Sequence, residues 1–341
     1  MTIEEIKDMV RGPEYDFLRT NDHLKDRLVF LTLGGSYAYG TNVETSDVDV
    51  RGCALNSPSD IIGLTNFDQA VDNRTDTTVY SFNRLIPLLM SCNPNTIEML
   101  GCKPEHYIFQ TEIGSEMIKN RKLFLSQVAV KSFGGYATQQ LRRLENAIAR
   151  DRVSQPRREE HLLHSTENSL ADFASKHLNL PAEAVTLFID ESPRDDLDVE
   201  IFANIHLDRY PAREFNSLLN ELKNTIDNYT QTLSHRNHKK DFEHLNKHAM
   251  HLIRLYLMCL DILEKEEIVT YRENDREMLL EIRRGKYMNE DGTYQQEFFD
   301  MVADYEKRLA YARENTGLPK SPDFKRIQEF VMDVNRSVLS L

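Results

Sequence analysis

The chain is short of cysteine, of long apolar runs and of positive charge, and each shortage removes a class of protein. Cys53, Cys92, Cys102 and Cys259 are scattered without any Cys-x-x-Cys spacing, so neither a zinc ribbon nor a disulfide framework is supported; all four are expected as buried thiols. No apolar stretch approaches the roughly 20 residues that a membrane-spanning helix needs. The opening Met1-Thr2-Ile3-Glu4-Glu5 is acidic where a secretory leader is basic and then apolar, so the expected location is the cytoplasm. A formal charge of −13 argues against a protein that coats nucleic acid nonspecifically, since such binding draws on neutralising many phosphates; one local basic groove stays compatible with it. Internal repeats and low-complexity tracts are also absent. The 341 residues suffice for one large or two ordinary domains, each with a real core.

What is there centres on residues 33–50. Leu28-Val29-Phe30-Leu31-Thr32-Leu33 reads as a buried strand that stops at the turn Gly34-Gly35-Ser36; after a loop containing Gly40, a second strand is expected to open with Asp47-Val48-Asp49 and run to about Ala54. A turn without Cβ atoms lets backbone N–H groups approach a polyphosphate, and Ser36 adds a hydroxyl where a short helix begins. Strand alternation puts Asp47 and Asp49 on one face and Val48 and Val50 toward the core. Two carboxylates beside bound phosphates make a divalent-metal site, because Mg²⁺ prefers a few carboxylates together with phosphate oxygens. Arg51 shares the carboxylate face, where it either contacts a phosphate or pairs with an aspartate.

Around this centre, residues up to about Arg27 read as a helical lead-in broken at Gly12-Pro13. Phe67–Val71 and Thr77–Phe82 read as short strands joined by a polar turn. From Asn83 to about Leu100 the pattern is helical with a break at Asn93-Pro94, and Asn95 or Thr96 can cap the second piece. Beyond residues 110–120 nearly all readable periodicity is helical. Lys247 to Leu263 is apolar almost all round, as in a buried central helix. On it Lys247, His251 and Arg254 stand at i, i+4 and i+7 on one face, and such buried charge needs an anionic partner, either a triphosphate or internal acids. Arg283, Arg284 and Lys286 are candidates to join the same groove.

Four stretches carry the resemblance to a known family: Gly34-Gly35-Ser36-Tyr37-Ala38-Tyr39-Gly40, Ser46-Asp47-Val48-Asp49-Val50-Arg51-Gly52, Asn93-Pro94-Asn95 with Glu98, and Lys247 to Leu255. In them the chain resembles the polymerase-beta-type nucleotidyltransferase superfamily, and more narrowly its RNA repair pathway DNA polymerase beta family. The resemblance spans most of the chain. It implies an α+β architecture: a nucleotidyltransferase-fold mixed sheet with helices over residues 1–115, then an all-helical domain over 116–341 closing the substrate cleft.

It also implies the chemistry, a metal-dependent transfer of a nucleoside monophosphate from an NTP, with ATP the expected one, to an acceptor hydroxyl with release of pyrophosphate. Two Mg²⁺ or Mn²⁺ ions would be held by Asp47, Asp49 and a third carboxylate, for which Asp76 is the candidate and Asp72 the reserve; Asp76 reads equally as a turn residue. Gly34, Gly35, Ser36, Arg51, Lys247, His251 and Arg254 would hold the nucleotide, and Glu98 would orient neighbouring groups.

The acceptor implied is an RNA end. Between 119 and 158 the chain is locally basic, with Lys119, Arg121, Lys122, Lys131, Arg142, Arg143, Arg150, Arg152, Arg157 and Arg158, which reads as an RNA surface or as a solvated helix face. A protein or small-molecule acceptor, and a weakly catalytic NTP-binding regulatory or antitoxin-like module, are the alternatives. Two further patterns invite other sites: Arg157-Arg158 followed by His161 and His164 a ribonuclease, and His235, His238, His244 and His248 a zinc ion. Oligomeric state is silent in the sequence.

Overall fold

In the computed structural model the described residues are 1–152, 159–160, 163, 167, 181, 184–193, 199–220, 223, 242–290 and 292–340. They form two compact units, one of residues 1–142 with 246–341 and one of residues 143–245.

The larger unit is built on a five-stranded mixed sheet of order β3-β4-β2-β1-β5. Strand β1 (Leu28–Leu33) is an unbroken apolar run because it is covered on both faces. It pairs antiparallel with β2 (Val50–Ala54) and with β5 (Tyr107–Gln110). Strand β4 (Thr77–Ser81) lies parallel to β2, and β3 (Gln69–Asp72) closes the other edge antiparallel to β4. The Val50 and Val79 side chains lie in the core with Leu31, Leu33, Tyr37 and the N-terminal residues Ile6, Val10 and Leu18. The lead-in helix α1 (Ile3–Arg11) is thus scaffold, its start fixed by a Thr2–Glu5 capping box and its end by Gly12.

The second strand starts later than expected. Leu33 pairs with Val50, and Gly34 then turns away, so Asp47 and Asp49 precede the ladder rather than open it. The alternation survives in the extended approach: Val48 packs on the core and Asp49 does not.

The remainder of this unit is helical. It includes α2 (Phe17–Thr20), α3 (Gly35–Tyr39), α4 (Pro58–Ile62), α5 (Phe82–Met90), the Asn93-capped α6 (Pro94–Ile97) and α7 (Glu112–Lys119). It also holds α10 (Arg276–Arg283), α11 (Gln296–Asn315) and α12 (Phe324–Leu339). The long helices α8 (Val128–Arg152) and α9 (Phe242–Leu260) contribute their residues up to 142 and from 246. The expected α+β class, a mixed sheet followed by a helical region, describes the molecule, with one correction to an all-helical second half. In the smaller unit β6 (Val185–Glu191) and β7 (Val199–Ile205) form an antiparallel hairpin on which Phe188 and Phe202 stack 5.9 Å apart. Both segments are rich in Val, Ile and Phe, the side chains a pleated surface accommodates best. No described helix is long and apolar enough to cross a membrane.

Candidate active site

The turn that follows β1 is shaped by its contact with Asp49. Gly34 N–H donates to the Asp49 carbonyl across 2.9 Å. Gly35 has φ +53°, and a Cβ there would come 1.9 Å from Asp49 Oδ2. Only a residue free of side chain lets the carboxylate lie against the turn. Ser36 follows in the first turn of α3, its Oγ enclosed and without a hydrogen-bond partner among the described residues.

Asp49 faces Arg51, and Arg51 faces Asp76. The guanidinium donates from Nη2 to Asp49 Oδ1 at 2.9 Å and to Asp76 Oδ1 at 3.2 Å, and from Nη1 to the Asp76 carbonyl at 2.5 Å. Of the two readings of Arg51, pairing with an aspartate is the one present. Asp76 sits in the β3–β4 turn with φ +43°, a left-handed position that Asp tolerates better than most residues, and its carbonyl accepts from Val50 N–H at 3.2 Å. The reserve candidate, Asp72, pairs with Arg74 in the same turn.

Asp49 is held up to about pH 7. Burial is the largest cause, opposed by Arg51 and reinforced by the hydrogen bond and negative charge of Asp76 and by the charge of Asp47. A carboxyl that remains unfavourable as an anion beside an arginine is one whose surroundings call for more positive charge.

These groups share a cavity of about 360 Å³, within the larger unit. Its wall includes Gly35, Ser36, Asp47, Asp49, Arg51 and Asp76, and from helix α9 Lys247 and His251. Asp47 and Lys247 form no ion pair among the described residues. His251 is held well below its ordinary pKa, first by burial and then by the charges of Arg254 and Lys247, so its imidazole is neutral. It therefore offers a hydrogen bond to a phosphate, not a charge. Gly34 lies behind the wall.

Arg254, expected on the same phosphate-facing side, is engaged elsewhere. Its Nη1 donates to Glu98 Oε2 at 3.2 Å, both side chains more than nine-tenths buried, and its guanidinium lies 3.7 Å over the Tyr39 ring. Tyr39 Oη donates to both oxygens of the same carboxylate, at 2.8 and 3.0 Å. Burial explains the arrangement, since a charge taken out of water must be paired. Glu98 thus holds Tyr39 of α3 and Arg254 of α9 together at the inner wall.

The cavity also contains Thr78, Tyr80, Asn95, Met250 and Arg283. Thr78 and Tyr80 alternate on β4, a strand the sequence reveals, on the same sheet face as Arg51. The period-2 pattern was the available signal for them.

A three-carboxylate metal cage is not formed: no group of three His, Cys, Asp or Glu side chains converges among the described residues. Arg51 stands between Asp49 and Asp76. The donor set still suits Mg²⁺ in its usual mode, one or two carboxylates with the rest of the shell from water and substrate phosphates. Asp47 and Asp49 are the pair nearest to the Gly-Gly-Ser turn in sequence and share its cavity.

His248 Nδ1 lies 2.9 Å from Gln140 Oε1, while His235 and His238 are outside the described residues. So are Arg157, Arg158, His161 and His164, and the side chains of Arg142, Arg143, Arg150 and Arg152. Of the basic stretch, Lys119, Lys122 and Lys131 are exposed and Arg121 is half-buried. A second hollow of about 410 Å³ is lined by charges already matched: Arg272 with Asp261 and Asp275, Lys103 with Glu273, and Arg308 with Glu264.

No curated protein matches the chain. The stretch holding Asp47, Asp49, Asp76 and Glu98 is similar to a known family: residues 13–162 match the model of the RNA repair pathway DNA polymerase beta family.

Proposed function

We propose that the protein transfers a nucleoside monophosphate from a nucleoside triphosphate, with ATP the first to try, to an acceptor hydroxyl, and that the acceptor is an RNA end. What supports this most is a single coincidence of place. Ser36, whose hydroxyl has no partner among the described residues, the aspartates 47, 49 and 76, and Lys247, which forms no ion pair among them, line one cavity large enough for a nucleotide.

Asp47 and Asp49 would hold the divalent ion, with Asp76 as third carboxylate once Arg51 turns from it. When bound, the ion supplies charge neutralisation at the transferring phosphoryl group and lowers the pKa of the attacking hydroxyl. The chain's own groups do the rest. Ser36 donates to a phosphate oxygen, with the bare Gly35 backbone allowing close approach. Lys247 and Arg283 offset the charge that grows on the leaving pyrophosphate, and His251 donates a hydrogen bond from its neutral ring. Arg51, released from Asp76, is within the same cavity to meet the α-phosphate.

The test is label transfer from each α-labelled NTP with Mg²⁺, offered pooled small RNA, a cell extract and the protein alone, beside Asp47→Ala/Asp49→Ala. Label on RNA with wild type only is the expected result. Label on protein or small molecules instead would redirect the acceptor, a direction the charge of −13 favours for a cationic small molecule. Tight NTP binding with no label anywhere would replace catalysis by a regulatory module.

A further inference from the structure

Three consecutive backbone carbonyls leave the C-terminal end of α3, those of Tyr39, Gly40 and Thr41. Each accepts a hydrogen bond from the segment 272–283. Arg272 N–H donates to Tyr39 O at 3.0 Å, Arg276 Nε to Gly40 O at 2.7 Å and Arg283 Nη1 to Thr41 O at 2.6 Å. Tyr39 ends α3, Gly40 caps it and Thr41 follows, so none of these carbonyls has a partner within the helix, and all three are met by arginine residues more than 230 positions later in the chain.

The same segment clamps the turn sterically. Gly40 has φ +76°, and a Cβ on it would meet the Tyr271 ring at 2.6 Å. Tyr271 is in turn fixed by Lys103 Nζ, 3.8 Å over its ring, and by the edge of His106. Arg272 is anchored beneath by Asp261 and Asp275. The clasp thus joins the turn through several mutually supporting contacts.

What it grips is the start of the loop 40–46, which delivers Asp47 and then Asp49 to the cavity. We propose that Arg276 and Arg283 are positioning residues of the transfer site: through the carbonyls of Gly40 and Thr41 they set the path of the loop that carries Asp47. The segment that completes the site thus lies beyond residue 162, where the family match ends. This inference rests on the nucleotidyltransferase reading of the cavity.

Arg276 is the cleaner residue to test, because Arg283 also lines the cavity and Arg276 does not. In the full chain, Arg276→Met keeps most of the packing and removes the donor. Arg276→Lys restores a donor on a flexible stem. Three quantities are read: the rate of label transfer from α-labelled ATP at saturating Mg²⁺, the Mn²⁺ affinity by electron paramagnetic resonance, and the affinity for ATP in EDTA.

Misplacement of the loop predicts a transfer rate lowered by about 10²-fold in Arg276→Met, as expected for a catalytic group displaced by roughly 1 Å. Mn²⁺ affinity should fall several-fold, and metal-free ATP affinity should change less than about twofold. Arg276→Lys should recover part of both losses. A merely structural role would instead lower the melting temperature and the active fraction together, leaving Mn²⁺ affinity per folded molecule unchanged; that result overturns the proposal. Wild-type rate and Mn²⁺ affinity in Arg276→Met overturn it equally. If Arg276→Met does not fold, Arg276→Leu, which likewise lacks a donor, is read in its place, and wild-type Mn²⁺ affinity and rate in that variant overturn it. A wild-type protein that transfers no label and binds neither ATP nor Mn²⁺ defeats the underlying reading of the cavity, and with it this inference.

Discussion

Arg254 donates to the Glu98 carboxylate across 3.2 Å in a nearly dry setting, and this pairing divides one basic helix face into two tasks. Lys247, two turns toward the N-terminus, forms no ion pair among the described residues and lines the cavity. The two residues should therefore respond oppositely to substitution.

Arg254→Met leaves Glu98 buried and uncompensated, and should cost about 3–5 kcal/mol of stability. Denaturant unfolding followed by circular dichroism reads it directly. Lys247→Met should leave stability within about 0.5 kcal/mol of wild type, the usual range for a side chain away from the core. Its effect belongs on the nucleotide: KM for the triphosphate should rise roughly tenfold, the equivalent of about 1.4 kcal/mol of lost charge interaction. An unchanged KM would remove Lys247 from the phosphate site.

Asp49 carries a stability cost that its neighbours do not relieve. Its carboxyl titrates near 7 in the folded protein and near the ordinary 3.8 when unfolded, so between these values the folded state holds the extra proton. Stability through this group is then full below about pH 3.8 and is lost as pH rises through 7. Asp49→Asn should accordingly be more stable than wild type at pH 8, by an amount on the order of 1 kcal/mol, and the difference should vanish toward pH 4. The same variant should lose transfer by about 10²–10³-fold, since metal charge stabilisation is worth several kcal/mol.

The pH profile of transfer follows from the same residue. A metal ligand must be deprotonated, so at low Mg²⁺ the rate should climb from pH 6 to pH 8 with a midpoint near 7. Raising Mg²⁺ should move the midpoint downward, because the ion competes with the proton. A midpoint indifferent to Mg²⁺ would mean that Asp49 is not a ligand.

Much of this was readable from the residues alone. The apolar run Leu28–Leu33 is the observed β1, and the alternation of Asp47, Val48, Asp49 and Val50 separates cavity from core as a strand would, although the ladder begins only at Val50. Such local patterns carry their own physics. The hairpin of β6 and β7 was legible in principle, from two Val, Ile and Phe-rich segments close together in sequence. The Glu98 pairing and the Arg276 and Arg283 clasp were not legible. Their partners stand 156, 236 and 242 positions apart, and no periodicity links residues at that distance.

Gly35 provides a compact check on the turn. Gly35→Ala would force a Cβ against Asp49 Oδ2 and impose a left-handed φ, a strain of about 1–3 kcal/mol. Expected are a lowered melting temperature and a loss of transfer at least as large as that of Asp49→Asn. Normal transfer by Gly35→Ala would show that the close approach of turn and carboxylate is dispensable.

The measurement that bears most directly on the whole account is transfer of label from α-labelled ATP to small RNA by wild-type protein and by Asp49→Asn, each with Mg²⁺ and with EDTA. The account predicts label on RNA for wild type with Mg²⁺, label lower by about 10²-fold or more for Asp49→Asn with Mg²⁺, and none for either protein in EDTA. Equal labelling by wild type and Asp49→Asn, or labelling that persists in EDTA, would contradict it.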